Sequence, residues 1–405
     1  MRERASAVSG RYGPASFPAG RRGVFAVIAG GGTGGHVVPA IAIGRALVER
    51  GHPPSSIRFV GSRRGIEGRL VPDAGFALTV LPGRGLVRRV TVANVGAVVG
   101  LVSAVARAVV LVRRMRPSVV VSVGGYASVA ATVAAAVWRV PLVIAEQNAV
   151  PGAANRLAGR VARVAATSFA DTPLPKAVLT GNPVRQEILD VDRRPAARAV
   201  ARAELGLPAD GAVVAAVTGS LGARRVNQAV AEVADKWRDR PGVAIRHVTG
   251  ERDWERFGTS APAGGALRYQ RVAFEARMDL LYAAVDVMVG RAGASTVAEL
   301  AAAGVPSVLI PLPGAPGDHQ TGNARNLERV GAAVVISDGD CDAARLAREL
   351  DLLLSEPERL VRMGEAARRL ARPHAAAAVA SLIEEHSRVG KQRRLGKQRR
   401  IGEAP

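Results

Sequence analysis

The chain has 405 residues, 48% hydrophobic but only 3% aromatic, and a formal net charge of +22 from 56 basic and 34 acidic residues. That length allows two to three domains, and the apolar content allows full cores built from Ala, Val, Leu and Ile. A single cysteine, Cys341, excludes an internal disulfide and fits a reducing compartment. The charge is clustered. Residues 1–22 carry five Arg against one Glu, residues 63–116 carry ten Arg against Glu67 and Asp73, and residues 386–405 carry seven basic residues against Glu403. Such clustering points to one anionic surface, membrane or nucleic acid. The scarcity of aromatics and the charge in the tails argue against nucleic acid. Residues 1–22 lack a continuous apolar stretch and read as a disordered basic arm, not a secretory signal. Residues 389–405, where Gly390-Lys391-Gln392-Arg393-Arg394 repeats as Gly396-Lys397-Gln398-Arg399-Arg400, read as a disordered basic tail.

From Val24 onward, short apolar runs alternate with helical patterns. Phe25–Ala29 reads as a strand that ends in Gly30-Gly31-Gly32-Thr33-Gly34-Gly35-His36 and reopens as a helix. Such a turn brings backbone N–H groups and a helix N-terminus to a phosphate. His36 at its mouth titrates near pH ~6.5 when unperturbed, which leaves two roles, a proton acceptor beside a phosphorylated group or a helix-start residue that caps or packs. Further strand-like runs follow at Ile57–Val60, Ala77–Leu81, Val119–Val123, Leu142–Ala145 and Val164–Thr167. Between them, Val92–Val112 is apolar except for Arg107 and a few small polar residues, with Arg84, Arg88 and Arg89 before it and Arg113, Arg114 and Arg116 after. It approaches the ~20 residues that span a bilayer, but Arg107 inside it and basic residues on both flanks make it a buried or membrane-apposed helix.

The pattern breaks at Gly181-Asn182-Pro183-Val184-Arg185 and restarts after Arg193-Arg194-Pro195. Ala212–Val217 is a strand, Thr218 to Ala223 a glycine-containing turn, and Asn227–Trp237 a helix; runs at Ala244–Thr249, Val285–Val289, Val305–Ile310 and Ala333–Ile336 continue the alternation. Two doubly wound α/β domains facing across a cleft are therefore expected, each binding ligand beyond the carboxyl ends of its strands. The expected boundaries are a basic arm over 1–22, a first domain over 23–184 and a second over 185–368. A helix over 369–388 crosses back to the first domain, and the tail covers 389–405.

Polar clusters recur at strand ends: Gly124-Gly125-Tyr126, Glu146-Gln147-Asn148, Gly290 to Thr296 with Glu299, and Asp318-His319-Gln320 with Asn323. Glu299, expected in the first turn of its helix, suits a ribose diol; the alternative is a helix-start acid favoured by the dipole. Asp190-Val191-Asp192 and Asp338-Gly339-Asp340 read as solvated loop acids and not as metal ligands.

Together, Gly31 to His36, Gly124-Gly125-Tyr126, Glu146-Gln147-Asn148, Gly181 to Arg185, Gly219-Ser220, Gly293-Ala294 with Glu299, and Asp318-His319-Gln320 with Asn323 occur in this order. They resemble the MurG family of bacterial peptidoglycan glycosyltransferases, over most of the chain from about Val24 to about Ile336. The resemblance implies a GT-B fold with acceptor on the first domain and nucleotide sugar on the second. It implies an inverting transfer of N-acetylglucosamine from UDP-N-acetylglucosamine to the C4 hydroxyl of N-acetylmuramic acid in lipid I, giving lipid II, with no cofactor and no metal. His36 resembles the catalytic base; Gly31, Thr33, Gly34, Gly35, Gly124, Gly125 and Tyr126 would meet the acceptor. Thr33, Gly34, Gly35, Asn148, Arg185, Ser220, Gly293, Ala294, Glu299, His319, Gln320 and Asn323 would meet UDP-N-acetylglucosamine. Leu221 and His319 depart from the glutamines common at those places. A lipid acceptor implies a peripheral protein on the cytoplasmic face of the cell membrane, held by Arg84, Arg88 and Arg89, with further cell-wall synthesis proteins as partners. The competing reading is a GT-B transferase acting on another lipid or natural-product acceptor.

Overall fold

The structure is a computed structural model that describes residues 23–62, 65–82, 93–219, 222–258 and 265–388, the side chains of 93–98 excepted. The elements of the first half are β1 (Ala26–Ala29), α1 (Gly34–Glu49), β2 (Ile57–Ser62), α2 (Glu67–Asp73), β3 (Ala77–Leu81), α3 (Ala93–Met115), β4 (Val119–Ser122), α4 (Tyr126–Val137), β5 (Leu142–Glu146), α5 (Ala153–Gly159), β6 (Val164–Thr167) and β7 (Ala177–Leu179). There follow α6 (Gln186–Leu189), α7 (Pro195–Glu204), β8 (Ala212–Val217), α8 (Arg224–Lys236), β9 (Val243–Val248), α9 (Trp254–Phe257), β10 (Arg268–Val272), α10 (Met278–Ala284), β11 (Val287–Gly290), α11 (Ala294–Ala303), β12 (Ser307–Leu309), α12 (His319–Arg329), β13 (Ala333–Val335), α13 (Ala343–Leu354), α14 (Pro357–Leu370) and α15 (Ala375–His386).

The strands form two sheets, ordered β3-β2-β1-β4-β5-β6-β7 and β10-β9-β8-β11-β12-β13. β1 pairs in parallel with β2 on one side (Ala29 opposite Val60) and β4 on the other (Ala29 opposite Ser122). β8 likewise lies between β9 and β11, with Val217 opposite both Val248 and Gly290. In each sheet the order reverses beside the first strand, which is where an open α/β sheet leaves a crevice. The described residues divide into two compact units, one drawn from Met1–Val143, Val161–Arg163 and Leu382–Pro405, the other comprising Ile144–Arg160 and Val164–Ser381.

The strands are legible as continuous apolar runs because helices cover both faces. On β8, Val213 and Ala215 enter one core with Leu281, Leu300 and Leu327, while Val214 and Ala216 enter another with Val226, Val230 and Leu346. β7 and β10 were not legible. Both are edge strands, β7 exposed along its length and β10 reading Arg-Tyr-Gln-Arg-Val, so neither needs an apolar run. The helix expected over 369–388 is not continuous: α14 ends at Leu370 and α15 opens at Ala375, because Pro373 in the connection disfavours helix for the residue before it.

The apolar stretch before Pro117 is helix α3, which buries Ala104, Ala108 and Val112 and exposes Val99, Val102 and Val110. The buried set recurs every fourth residue and so forms one stripe. Trp138, just past α4, donates its indole N–H to Val109 O at 2.9 Å and lies under the Arg113 guanidinium. No helix among the described residues is long and apolar enough to cross a membrane. Within the first unit, Glu384 near the C-terminus accepts Arg50 Nη2 at 2.6 Å and lies 2.9 Å from His52 Nε2.

Candidate active site

Two glycine turns of the first unit meet at the ends of β1 and β4. Gly31 and Gly32 take φ of +149° and +92°, and Gly124 and Gly125 take +96° and +85°, values that a Cβ strains. The turns touch through their backbones: a Cβ on Gly125 would lie 2.7 Å from Gly31 O, and one on Gly30 would lie 2.0 Å from a Val123 methyl. Thr33 is extended, and α1 opens at Gly34 with its first N–H groups at the turn. His36 is the third residue of that helix, its Nδ1 3.3 Å from Thr33 Oγ1 and its N–H on Thr33 O at 3.1 Å. The Tyr126 hydroxyl donates to Pro82 O at 3.0 Å, and burial raises its pKa. That bond ties the second turn to the residue that follows β3. Arg84, Arg88 and Arg89 lie outside the described residues.

Two residues that hold these turns escaped the sequence reading. Glu67 at the start of α2 is buried; its Oε2 accepts Gly32 N–H at 3.0 Å, and its Oε1 accepts the Ser62 N–H at 2.8 Å and hydroxyl at 2.9 Å. Burial alone would raise this carboxyl, but the N–H groups of Gly32 and Ser62 outweigh it and hold the pKa below its ordinary value. Fully buried Ser128 in α4 reaches Ala29 O at 2.6 Å and accepts Gly124 N–H at 3.1 Å, tying the end of β1 to the second turn. The only sequence signal for Glu67 was an acid inside a strongly basic stretch, and Ser128 left none.

In the second unit, the loop after β5 is organised by buried Glu146. Its Oε1 accepts Asn148 N–H at 3.0 Å, and its Oε2 accepts Gly152 N–H at 3.1 Å and Asn155 Nδ2 at 2.9 Å. Asn323 on α12 is fully buried. Its Oδ1 accepts Ala149 N–H at 2.9 Å, and its Nδ2 donates to Asn148 Oδ1 at 3.2 Å and Ala292 O at 3.1 Å. It therefore fixes Asn148 beside the turn after β11. In that turn Gly293 is the N-cap and α11 opens at Ala294, which places Glu299 in the second helical turn and not the first as expected. The helix starts earlier because the alanine and serine after Gly293 are already helical.

Glu299 meets a second residue expected at the donor: Arg185 Nη2 donates to its Oε1 at 3.2 Å, and the buried Tyr282 hydroxyl donates to its Oε2 at 3.0 Å. Burial raises the Glu299 carboxyl against the opposing pull of Arg185 and Tyr282. Gln320 spends its amide oxygen on Leu312 N–H at 2.9 Å, and His319 Nδ1 lies 2.9 Å from Pro316 O, shaping the loop after β12. Ser220 and Leu221, in the turn after β8, lie outside the described residues, as do the expected arm and tail. One correction concerns Asp338, which is not a solvated loop acid. It ion-pairs with Arg291 at 2.6 Å and Arg225 at 3.3 Å, with its side chain 15% exposed. The pairing joins the start of α8 to the turn after β11. Among the described residues no three His, Cys, Asp or Glu side chains group as metal ligands.

These glycine turns at two sheet switch points are the layout of a nucleotide-sugar transferase of the GT-B fold. Residues 26–167 match the glycosyltransferase family 28 N-terminal domain and residues 213–384 match the family 28 C-terminal domain. The chain belongs to glycosyltransferase family 28. Within it, the chain groups with relatives named UDP-N-acetylglucosamine–N-acetylmuramyl-(pentapeptide) pyrophosphoryl-undecaprenol N-acetylglucosamine transferase. The one from Desulforudis audaxviator is 38% identical over 371 residues, covering 89% of this chain and 97% of that one. The one from Nocardioides sp. is 40% identical over 345 residues, covering 84% and 92%. The crystal structure of Acinetobacter baumannii MurG is similar with a TM-score of 0.70 at 30% identity, covering 89% of this chain and 99% of that one. The glycosyltransferase of kitacinnamycin, at 19% identity and a TM-score of 0.66 over 91% of this chain and 100% of that one, shares the fold.

Proposed function

We propose that this glycosyltransferase moves N-acetylglucosamine from UDP-N-acetylglucosamine to the C4 hydroxyl of N-acetylmuramic acid in lipid I, with inversion, and releases lipid II and UDP. The observation that carries the reading is the pair of glycine turns packed backbone to backbone beside His36. Two turns and the helix N-termini they open, of α1 and α4, suit an acceptor that brings its own diphosphate. A sugar or aglycone without a diphosphate gives them no such use, which disfavours other acceptors. The names of the relatives support the same acceptor.

In this mechanism the C4 oxygen attacks the anomeric carbon as the bond to the UDP oxygen breaks. The hydroxyl proton passes to His36, whose ring Thr33 orients through Nδ1 while Nε2 receives the proton. A positioned base contributes roughly 10²–10⁴-fold. Charge develops on the departing UDP, and the amide groups opening α8 and α11 stabilise it. Glu299 takes the ribose hydroxyls while its pairing with Arg185 fixes both side chains, and Asn148, His319 and Gln320 meet the sugar. The lipid acceptor puts the first unit on an anionic cytoplasmic leaflet, with the exposed valines of α3 entering its surface and Arg84, Arg88 and Arg89 meeting its charge.

Incubation with UDP-N-acetylglucosamine and a short-chain lipid I analogue tests it: mass spectrometry should show the acceptor gaining one N-acetylhexosamine with release of UDP. Hydrolysis or epimerisation of the donor with no transfer would refute it.

A further inference from the structure

Behind the turn that follows β8 lies a buried chain of hydrogen bonds built from residues on α8, β9 and β10 and at the end of β8. Asn227 on α8 and His247 on β9 are fully buried, and Thr218 at the end of β8 is nearly so. Asn227 Nδ2 donates to Thr249 O at 2.9 Å and to Asp253 Oδ2 at 3.1 Å, so its Oδ1 is the acceptor on the opposite side. His247 Nε2 lies 2.9 Å from that oxygen and must donate to it, which leaves Nδ1 to accept from the Tyr269 hydroxyl at 2.7 Å. Thr218 Oγ1, 3.0 Å from Asn227 Oδ1 and from Val248 O, closes the chain against the β8 strand end. Burial, with the charge of Arg271 added, lowers His247 to about 3, so the ring keeps this neutral tautomer at cellular pH.

The anchored turn, Thr249-Gly250, sits directly under the turn after β8. A Cβ on Gly250 (φ +83°) would lie 2.4 Å from Gly222 N and 2.6 Å from Gly219 O. One on Gly222 (φ +72°) would meet Asp253 Oδ2 at 2.5 Å and Thr249 O at 2.7 Å. With no side chain between them, any shift of one turn moves the other. Such close packing leaves little slack.

We propose that Asn227, His247 and Tyr269 are positioning residues for donor binding. Their hydrogen-bond chain holds the Thr249-Gly250 turn under Gly219 and Gly222 and so sets where the amide groups opening α8 meet the donor's diphosphate. The inference rests on the reading that this turn receives the nucleotide. It differs from a purely structural role in what it predicts for kinetics, since a misplaced amide weakens the donor and leaves the acceptor untouched.

The test uses the full chain, steady-state kinetics with UDP-N-acetylglucosamine and a short-chain lipid I analogue, and calorimetric titration with UDP. Tyr269→Phe removes one hydroxyl and should raise the donor KM and the UDP Kd about 3- to 10-fold, the effect of one lost hydrogen bond. The acceptor KM should stay within about twofold, while kcat falls together with donor affinity because the same amides stabilise the charge on departing UDP. His247→Leu should exceed about tenfold, and His247→Gln, which restores a donor to Asn227, should recover most of that loss. Parallel rises in donor and acceptor KM, or no rescue by Gln, would overturn the proposal in favour of stability alone. An unchanged UDP Kd in Tyr269→Phe and His247→Leu, with Gly222→Ala still weakening UDP, would overturn it while leaving the donor reading intact. If Gly222→Ala also left UDP binding unchanged, the donor reading of this turn would fall with it.

Discussion

Glu67→Gln is the sharpest test of how the two glycine turns of the first unit are held. The carboxylate accepts three hydrogen bonds, from Gly32 N–H at 3.0 Å and from the Ser62 N–H and hydroxyl at 2.8 and 2.9 Å. A glutamine keeps one acceptor oxygen. If that oxygen faces Ser62, its NH₂ faces the Gly32 N–H, donor against donor. One charge-assisted bond of roughly 1.5–3 kcal/mol is then lost, and two others fall to neutral strength near ~1 kcal/mol. Easier burial of an uncharged group offsets part of this, for a net destabilisation of about 2–4 kcal/mol. Amide exchange of the segment spanning β1 and the start of α1 reads that loss as about 30- to 1,000-fold faster opening at neutral pH. The pH dependence supplies the sign. The folded carboxyl lies below its ordinary 4.5, so its contribution is complete above that value and lost as pH falls through the lowered one. The gap between wild type and variant should therefore narrow on acidification below about pH 4.5. A change in exchange under about threefold at neutral pH, or a gap that stays constant on acidification, would refute the account of Glu67 as the clasp of the first turn.

Three further outcomes are expected. His36→Ala should lower kcat by about 10²–10⁴-fold with UDP affinity unchanged in calorimetry, and unchanged turnover would move the base elsewhere. Glu299→Ala should raise the donor KM about tenfold; a double-mutant cycle with Arg185→Ala should show a coupling of about 1 kcal/mol in donor binding, and strict additivity would mean the two act independently. Val99→Asp with Val102→Asp should weaken binding to anionic vesicles by about tenfold or more in a sedimentation assay while leaving kcat on a water-soluble acceptor intact. Equal binding of variant and wild type would refute the proposed membrane contact through α3.

The buried strands and the glycine turns were legible because each leaves a local mark. β8 is apolar at every position and β4 at all but Ser122 because both faces are covered, and a chain that must reverse at positive φ needs glycine at Gly31 or Gly125. Edge strands β7 and β10 have no such requirement and left none. The candidate donor residues were legible by type and order, but not by what they touch. Arg185 and Glu299, read as separate ligands, are one ion pair. Asn323, read as a donor ligand, has its whole amide engaged by Ala149, Asn148 and Ala292. Asp338 looked like a loop acid because nothing local marks the arrival of Arg225 and Arg291.

The amino-acid order alone determined the alternation of strand and helix, the glycine turns at the strand ends and the residues of the MurG-like set, since these depend on backbone conformation and on neighbours within a few positions. Only the tertiary structure decided which side chains hold the turns still: Glu67 under Gly32, Ser128 between Ala29 and Gly124, and His247 behind Asn227. Those partners lie from a few to about a hundred residues apart in sequence. Their pairing follows from the requirement that a buried polar group find its complement, whichever segment the packing of helices on a sheet brings beside it.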